Sequence, residues 1–170
     1  MNLSRLAYRS RQFLNASFRS HKPVESEVLL PYLSPVQIAL FRRMQPSEQA
    51  HAFQVCERLK AAGQADRDLL TAALLHDVGK TLYPLSLWGR VGIVLGMHLL
   101  PRAARRWGEG QPKGLRLPFV VAAHHAEWGA DLAARAGASA RTVELIRRHH
   151  DPSPANDPLL VVLRQADDIE

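Results

Sequence analysis

Five of the chain's eight histidines, together with two of its aspartates, are spaced so that they could converge on one buried polar site. The centre of the pattern is Leu74-Leu75-His76-Asp77-Val78-Gly79-Lys80. Here a His-Asp pair ends an apolar run (Leu69, Leu70, Ala72, Ala73, Leu74, Leu75) that reads as a helix, and Gly79 is placed to terminate it. Adjacent side chains on a helix diverge by about 100°, so His76 and Asp77 cannot both lie idle in one apolar face. An unpaired buried carboxylate is strongly unfavourable. A divalent cation satisfies both groups, because neutral imidazole nitrogens and carboxylate oxygens are among its ordinary donors. The competing reading of the dipeptide alone is an exposed helix terminus.

The rest of the chain weighs against that competitor. His51 lies 25 residues before His76 on a separate amphipathic segment. His125 and the pair His149-His150 follow, and Gln165-Ala166-Asp167-Asp168 closes the set. No thiolate accompanies them, which argues against a structural zinc cage. One or two divalent ions drawn from manganese, iron, cobalt, nickel and zinc suit such donors.

The order H…HD…H…HH…D resembles that of the HD superfamily of metal-dependent phosphohydrolases, over roughly residues 46 to 170. Gly79 and Lys80 match the HDxGK form of the motif, and His125-Ala126-Glu127-Trp128-Gly129-Ala130 is similar to the HPExGA element of the two-metal branch. The resemblance implies that His51, His76, Asp77 and Asp167 share one ion. Asp77 would bridge to a second ion held by His125, His149 and His150. Two ions about 3.5 to 4 Å apart acidify a bridging water and neutralise a phosphoryl group, so no serine or cysteine nucleophile is needed, and none is apparent. The implied substrate is a phosphorylated small molecule, a mono- or diester, with nucleotides among the candidates. Asp77 and Lys80 are the expected catalytic side chains, Lys80 as a contact for a phosphate oxygen; a solvated surface lysine is its plain alternative.

Single positions stay open. Asp167 competes with Asp168, and the Ala-Asp form with its spacing to Leu160 and Leu163 favours Asp167. His124 competes with His125, and the match through Glu127 to Ala130 favours His125. At least one of His149 and His150 is an expected ligand, the other being alternatively a supporting or surface imidazole. His21 and His98 have no partner pattern. Asp151-Pro152-Ser153-Pro154 stands where cyclic-di-GMP phosphodiesterases of the HD-GYP type carry Glu and Gly-Tyr-Pro, which puts that substrate in doubt. HD-type di-iron oxygenases use much the same ligands, and a non-catalytic HD sensor or interaction module is a third reading.

The elements that must position these groups read as helices throughout. A short helix is expected from Pro35 to Arg43, and another from Pro46, carrying His51, to an αL stop at Gly63. Asp66 caps the helix that delivers His76 and Asp77. An apolar helix from about Leu85 to Leu100 and a basic loop follow. Pro118 opens a helix bearing His124 and His125, Asp131 to Ala136 is helical, and Gly137 stops it. Ser139 caps the next helix; Asp157 and Pro158 open the last, with Leu160, Leu163 and Asp167 on one stripe. No alternating run argues for strands. The expected fold is all-α, a compact HD-like helical bundle. Residues 1–34 form a basic tail and Pro-rich connector, and 35–170 a metal-binding domain in which 81–117 is a variable insertion. The Leu85–Leu100 helix is expected as a lid over the metal site with the basic loop at its rim, the alternatives being a core helix or a membrane-surface element.

Bulk properties narrow the partners. The single cysteine, Cys56, excludes an internal disulfide and fits a reducing compartment. Of the net charge of +6, residues 1–22 carry +5, as Arg5, Arg9, Arg11, Arg19 and Lys22 with no acid. That segment could lie on an anionic membrane as an amphipathic helix. No interleaving of basic and aromatic residues argues for specific nucleic-acid binding. No run is long and apolar enough to span a membrane, and no continuous apolar stretch marks a secretory signal. The expected location is cytoplasmic; for residues 1–22 peripheral membrane contact stands beside two alternatives, a transit peptide and a frayed, solvated tail.

Overall fold

The computed structural model describes residues 23–151 and 156–168. The tail with its expected membrane contact therefore lies outside the described residues, as do Pro152 to Ala155. The described residues contain eight α-helices and no strand: α1 Pro35–Phe41, α2 Pro46–Ala61, α3 Arg67–Leu75, α4 Leu87–Leu99, α5 Pro101–Gly108, α6 Leu117–Arg135, α7 Ala140–Arg148 and α8 Pro158–Asp167. Short 3-10 helices cover Val78–Leu82 and Gly114–Arg116.

Local chemistry explains most of the helix starts. The Ser34 and Gln37 side chains cap one another's backbone at the start of α1. Asp66, Ser139 and Asp157 accept from Leu69, Thr142 and Leu160 backbone N–H groups and begin α3, α7 and α8. Gly63 (φ +80°) and Gly137 (φ +75°) end α2 and α6 in the left-handed conformation that an L side chain disfavours.

The described residues divide into two compact units, one drawn from residues 23–82 and 125–168, the other residues 83–124. In the first unit α3 is the central helix. Every residue from Leu69 to Leu75 is buried, as expected of a helix surrounded by others, and α3 packs against α2, α7 and α8. Val55, Leu59, Leu145, Ile146, Leu160 and Leu163 complete this core. Leu29 and Leu33, in the proline-rich stretch before α1, are buried in it too. Polar ties fix the surrounding helices. The Thr142 hydroxyl is 2.9 Å from Asp68 Oδ1, and Arg58 donates to the Ala166 carbonyl at 2.9 Å.

In the second unit α4 packs beside α5, and both meet the start of α6. Trp107 and Phe119 stack edge to face at 5.1 Å between centroids. A Cβ at Gly96 would strike the Phe119 ring, so the helix approaches at backbone distance. Two expectations need correction. The basic segment after α4 is not a loop but the helix α5, opened by Pro101 and anchored by buried Ala104 and Gly108. His124, His125 and the Asp131–Ala136 stretch belong to one continuous helix, α6.

Candidate metal centre

All eight expected site residues lie in the first unit, at or near the ends of helices. His51 comes from the second turn of α2. His76 and Asp77 occupy the link between α3 and the 3-10 helix that carries Lys80. His125 lies on α6, His149 and His150 follow α7, and Asp167 ends α8. The fold brings them together across 116 residues of sequence: His51 Nε2 is 2.8 Å from Asp167 Oδ1. His76 Nε2 is 3.4 Å from Asp167 Oδ1 and 3.7 Å from Asp77 Oδ2. On the other side of Asp77, Oδ1 is 3.5 Å from His125 Nε2, and His125 Nε2 is 3.1 Å from His150 Nε2. Atoms bound to one ion at about 2.1 Å stand roughly 3.0 to 3.4 Å apart for right-angled to tetrahedral geometry; the distances here run from 2.8 to 3.7 Å and bracket that range.

Three groups offer donor atoms that all lie within 4.8 Å of one another: His51, His76 and Asp77; His125, His149 and His150; and His76, His149 and Asp167. The third group joins the two sets that the family pattern separates. His149 sits in the middle, its ring 5.1 Å from that of His76 and 4.0 Å from that of His150. Asp168 is exposed, 3.6 Å from Arg164, and His124 meets the Gly108 carbonyl instead. His98 is exposed, and His21 lies outside the described residues.

Gly79 acts differently from the expected helix stop. Its φ is not positive, and α3 has already ended at Leu75. A Cβ at Gly79 would collide with the His125 carbonyl oxygen and lie 2.7 Å from the Gly129 nitrogen. A Cβ at Gly129 would come within 3.1 Å of the Gly79 nitrogen. These glycines let the Asp77–Lys80 turn lie directly on the α6 backbone, which carries Asp77 to His125.

The ring tautomers follow from the backbone. His76 Nδ1 donates to the Ala73 carbonyl at 2.8 Å and His149 Nδ1 to the Ile146 carbonyl at 2.7 Å. A carbonyl only accepts, so in neutral rings both Nε2 atoms hold lone pairs. Both are buried, and no hydrogen bond meets either. Buried polar atoms are nearly always satisfied, and a backbone-fixed Nδ1 with an open Nε2 is the usual arrangement of a metal-binding histidine. These donors therefore fit a divalent cation.

The electrostatics agree. Burial, followed by His76, His150 and His125, holds His149 well below the usual imidazole range, so it is neutral and can donate its lone pair. Burial also lowers His150. Burial opposes the charged form of His76, but Asp77 and Asp167 outweigh it and raise its pKa to about 9. Burial opposes the Asp77 carboxylate as well; Lys80, His76 and His125 outweigh that and hold it well below its ordinary value. In the absence of a metal, a proton on His76 and the Lys80 ammonium, 2.6 Å from Asp77 Oδ2, supply the positive charge this site requires.

Sequence reasoning passed over the residues that tie down the segments bearing the candidate donors. Arg58 grips the carbonyl of Ala166, next to Asp167. Arg164 donates to the Asp151 carbonyl at 2.8 Å, just after the histidine pair. Arg141 chelates Asp157, the cap of α8. Each is an arginine on a helix face, indistinguishable in sequence from a solvated one.

Searches of curated proteins and of solved structures gave no match to the chain. The family model of the HD domain matches residues 49–170, which contain all of these donors. The chain belongs to the HD domain family, the superfamily of metal-dependent phosphohydrolases.

Proposed function

We propose that the protein hydrolyses a phosphate mono- or diester of a small molecule at this centre, with one or two divalent ions held by His51, His76, Asp77, His125, His149, His150 and Asp167. The observation that supports it most is the pair of buried Nε2 atoms on His76 and His149 without a hydrogen bond, gathered with Asp77 and Asp167 as a divalent ion requires of its donors. When bound, the ions supply a water acidified toward neutral pH and positive charge against the phosphoryl oxygens.

The chain supplies the rest. Asp77 turns one oxygen toward His76 and the other toward His125, so it would be the carboxylate within reach of both sets of donors. The backbone carbonyls of Ala73 and Ile146 keep two rings in the donating tautomer. Asp77 raises the Lys80 pKa against the effect of burial, so the ammonium stays charged while 31% of the side chain remains exposed to an anionic substrate.

The test is elemental analysis of freshly purified protein, followed by a panel of phosphomonoesters, phosphodiesters and nucleotides with manganese, cobalt or iron. Metal-dependent hydrolysis is expected. Lys80→Ala should raise KM by about tenfold to a hundredfold, the worth of one hydrogen bond to a charged group, with kcat much less affected. Stoichiometric redox-active iron with oxygen consumption and no ester hydrolysis would instead identify an oxygenase. A metal-loaded protein inactive in both assays would leave the site a sensor.

A further inference from the structure

We infer that residues 83–124 carry a docking surface for an anionic lipid membrane, a reading that stands apart from the chemistry of the metal centre. The first observation is an apolar helix with little cover. The sequence of α4, Leu-Trp-Gly-Arg-Val-Gly-Ile-Val-Leu-Gly-Met-His-Leu, is mostly apolar, yet none of its residues is buried. Trp88, Gly92, Leu95 and Leu99 follow one another at intervals of four, three and four residues and so share one face. Trp88 is 81% exposed and Leu99 62%. A Cβ at Gly92 would touch nothing within 4 Å. Leu115, in the 3-10 turn beyond α5, is 93% exposed. Single exposed leucines are ordinary, whereas a stripe of this kind marks an interaction site.

The second observation is charge. Arg102, Arg105 and Arg106 fall within about 100° of one another around α5, opposite its buried Ala104 and Gly108, and all three are exposed. With Arg90, Lys113 and Arg116 they face a single acid, Glu109, in residues 83–124, whereas residues 23–82 and 125–170 together carry a net charge of −4. The positive charge is concentrated in the same segment of the chain as the apolar face.

Charge then selects the occupant. A second copy of the same face would set like charges together, and residues 1–22, with five bases and no acid, would do the same. A nucleic acid would satisfy the arginines and leave Leu95, Leu99 and Leu115 in water. An anionic bilayer satisfies both sets: leucines enter the acyl boundary, Trp88 takes the interfacial level, and arginines reach lipid phosphates. Among the described residues no helix is long and apolar enough to cross a membrane, so the contact would be with the surface.

The full chain should cosediment with vesicles of equimolar phosphatidylcholine and phosphatidylglycerol, not with phosphatidylcholine alone, and salt should weaken the association. Replacing Arg102, Arg105 and Arg106 together by Ser should weaken binding by about a hundredfold. The separate variant Trp88→Gln with Leu99→Gln should weaken it by at least about tenfold. Because all five side chains are exposed, helical content and bound metal should not change in either. Both sensitivities should persist in the chain lacking residues 1–22. Undiminished vesicle binding by both variants would overturn the proposal. So would binding that is lost on removing residues 1–22 alone, or a preference for self-association or for an oligonucleotide over the vesicles.

Discussion

His51 Nε2 and Asp167 Oδ1 stand 2.8 Å apart although 116 residues separate them. The approach is built by α2 and α8, which flank the buried α3 and are tied where Arg58 meets the Ala166 carbonyl. Replacing Arg58 by Ala should let the end of α8 drift from the centre. The expected result is a loss of metal affinity of about tenfold to a hundredfold, the range for removing a group that orients ligands, with little change in helical content. Metal titration followed by calorimetry checks it, and Arg58→Lys should restore only part of the affinity, because lysine lacks the planar fork.

Asp77 faces both histidine sets, so its removal should disturb both. Asp77→Ala is expected to reduce occupancy of every metal equivalent and to abolish hydrolysis. Plasma emission spectrometry of the purified variant measures this. Retention of two full equivalents would show that the two sets do not share the carboxylate.

The close approach of Gly79 to the α6 backbone makes a sharp steric prediction. Gly79→Ala places a methyl group against the His125 carbonyl, and overpacking of this kind destabilises by about 1 to 3 kcal/mol. It should also weaken metal binding by pushing Asp77 from His125. Gly63→Ala meets no neighbour within 4 Å; its cost is the left-handed backbone alone, about 1 to 2 kcal/mol, with metal affinity unchanged. Thermal unfolding with and without metal separates the two effects.

The pH dependence follows from His76. Its folded pKa of about 9 exceeds the ordinary imidazole value near 6.5. In metal-free protein this group therefore contributes full stability below about pH 6.5 and loses it as pH rises through about 9. A metal must displace that proton, so affinity should rise with pH by up to about tenfold per unit until about pH 9, and binding at neutral pH should release protons. Titrations in buffers of different ionisation enthalpy count them. The carboxylates run the other way. Asp77 and Asp167 are held low, and their contribution, present above about pH 4, is lost as the solution becomes more acidic.

Much of the helical framework was legible in the chain itself. Asp66, Ser139 and Asp157 cap by bonding to backbone a few residues away, and Gly63 and Gly137 end helices by their own φ. Such interactions are local, so residue type and position determine them. The spacing of His51, His76, Asp77, His125, His149, His150 and Asp167 likewise pointed to a single centre through the family pattern. The tertiary structure decided what spacing cannot carry: that His149 stands between the two sets of candidate donors, that Gly79 is needed for an approach to α6 rather than for a turn, and that Arg58, Arg141 and Arg164 tie down the ends that bear those donors. It also made a helix of the segment from Pro101 to Gly108, where short polar stretches are ambiguous until Ala104 and Gly108 find something to pack against. Distances between residues far apart in sequence are set by how helices pack, and packing depends on every neighbour at once.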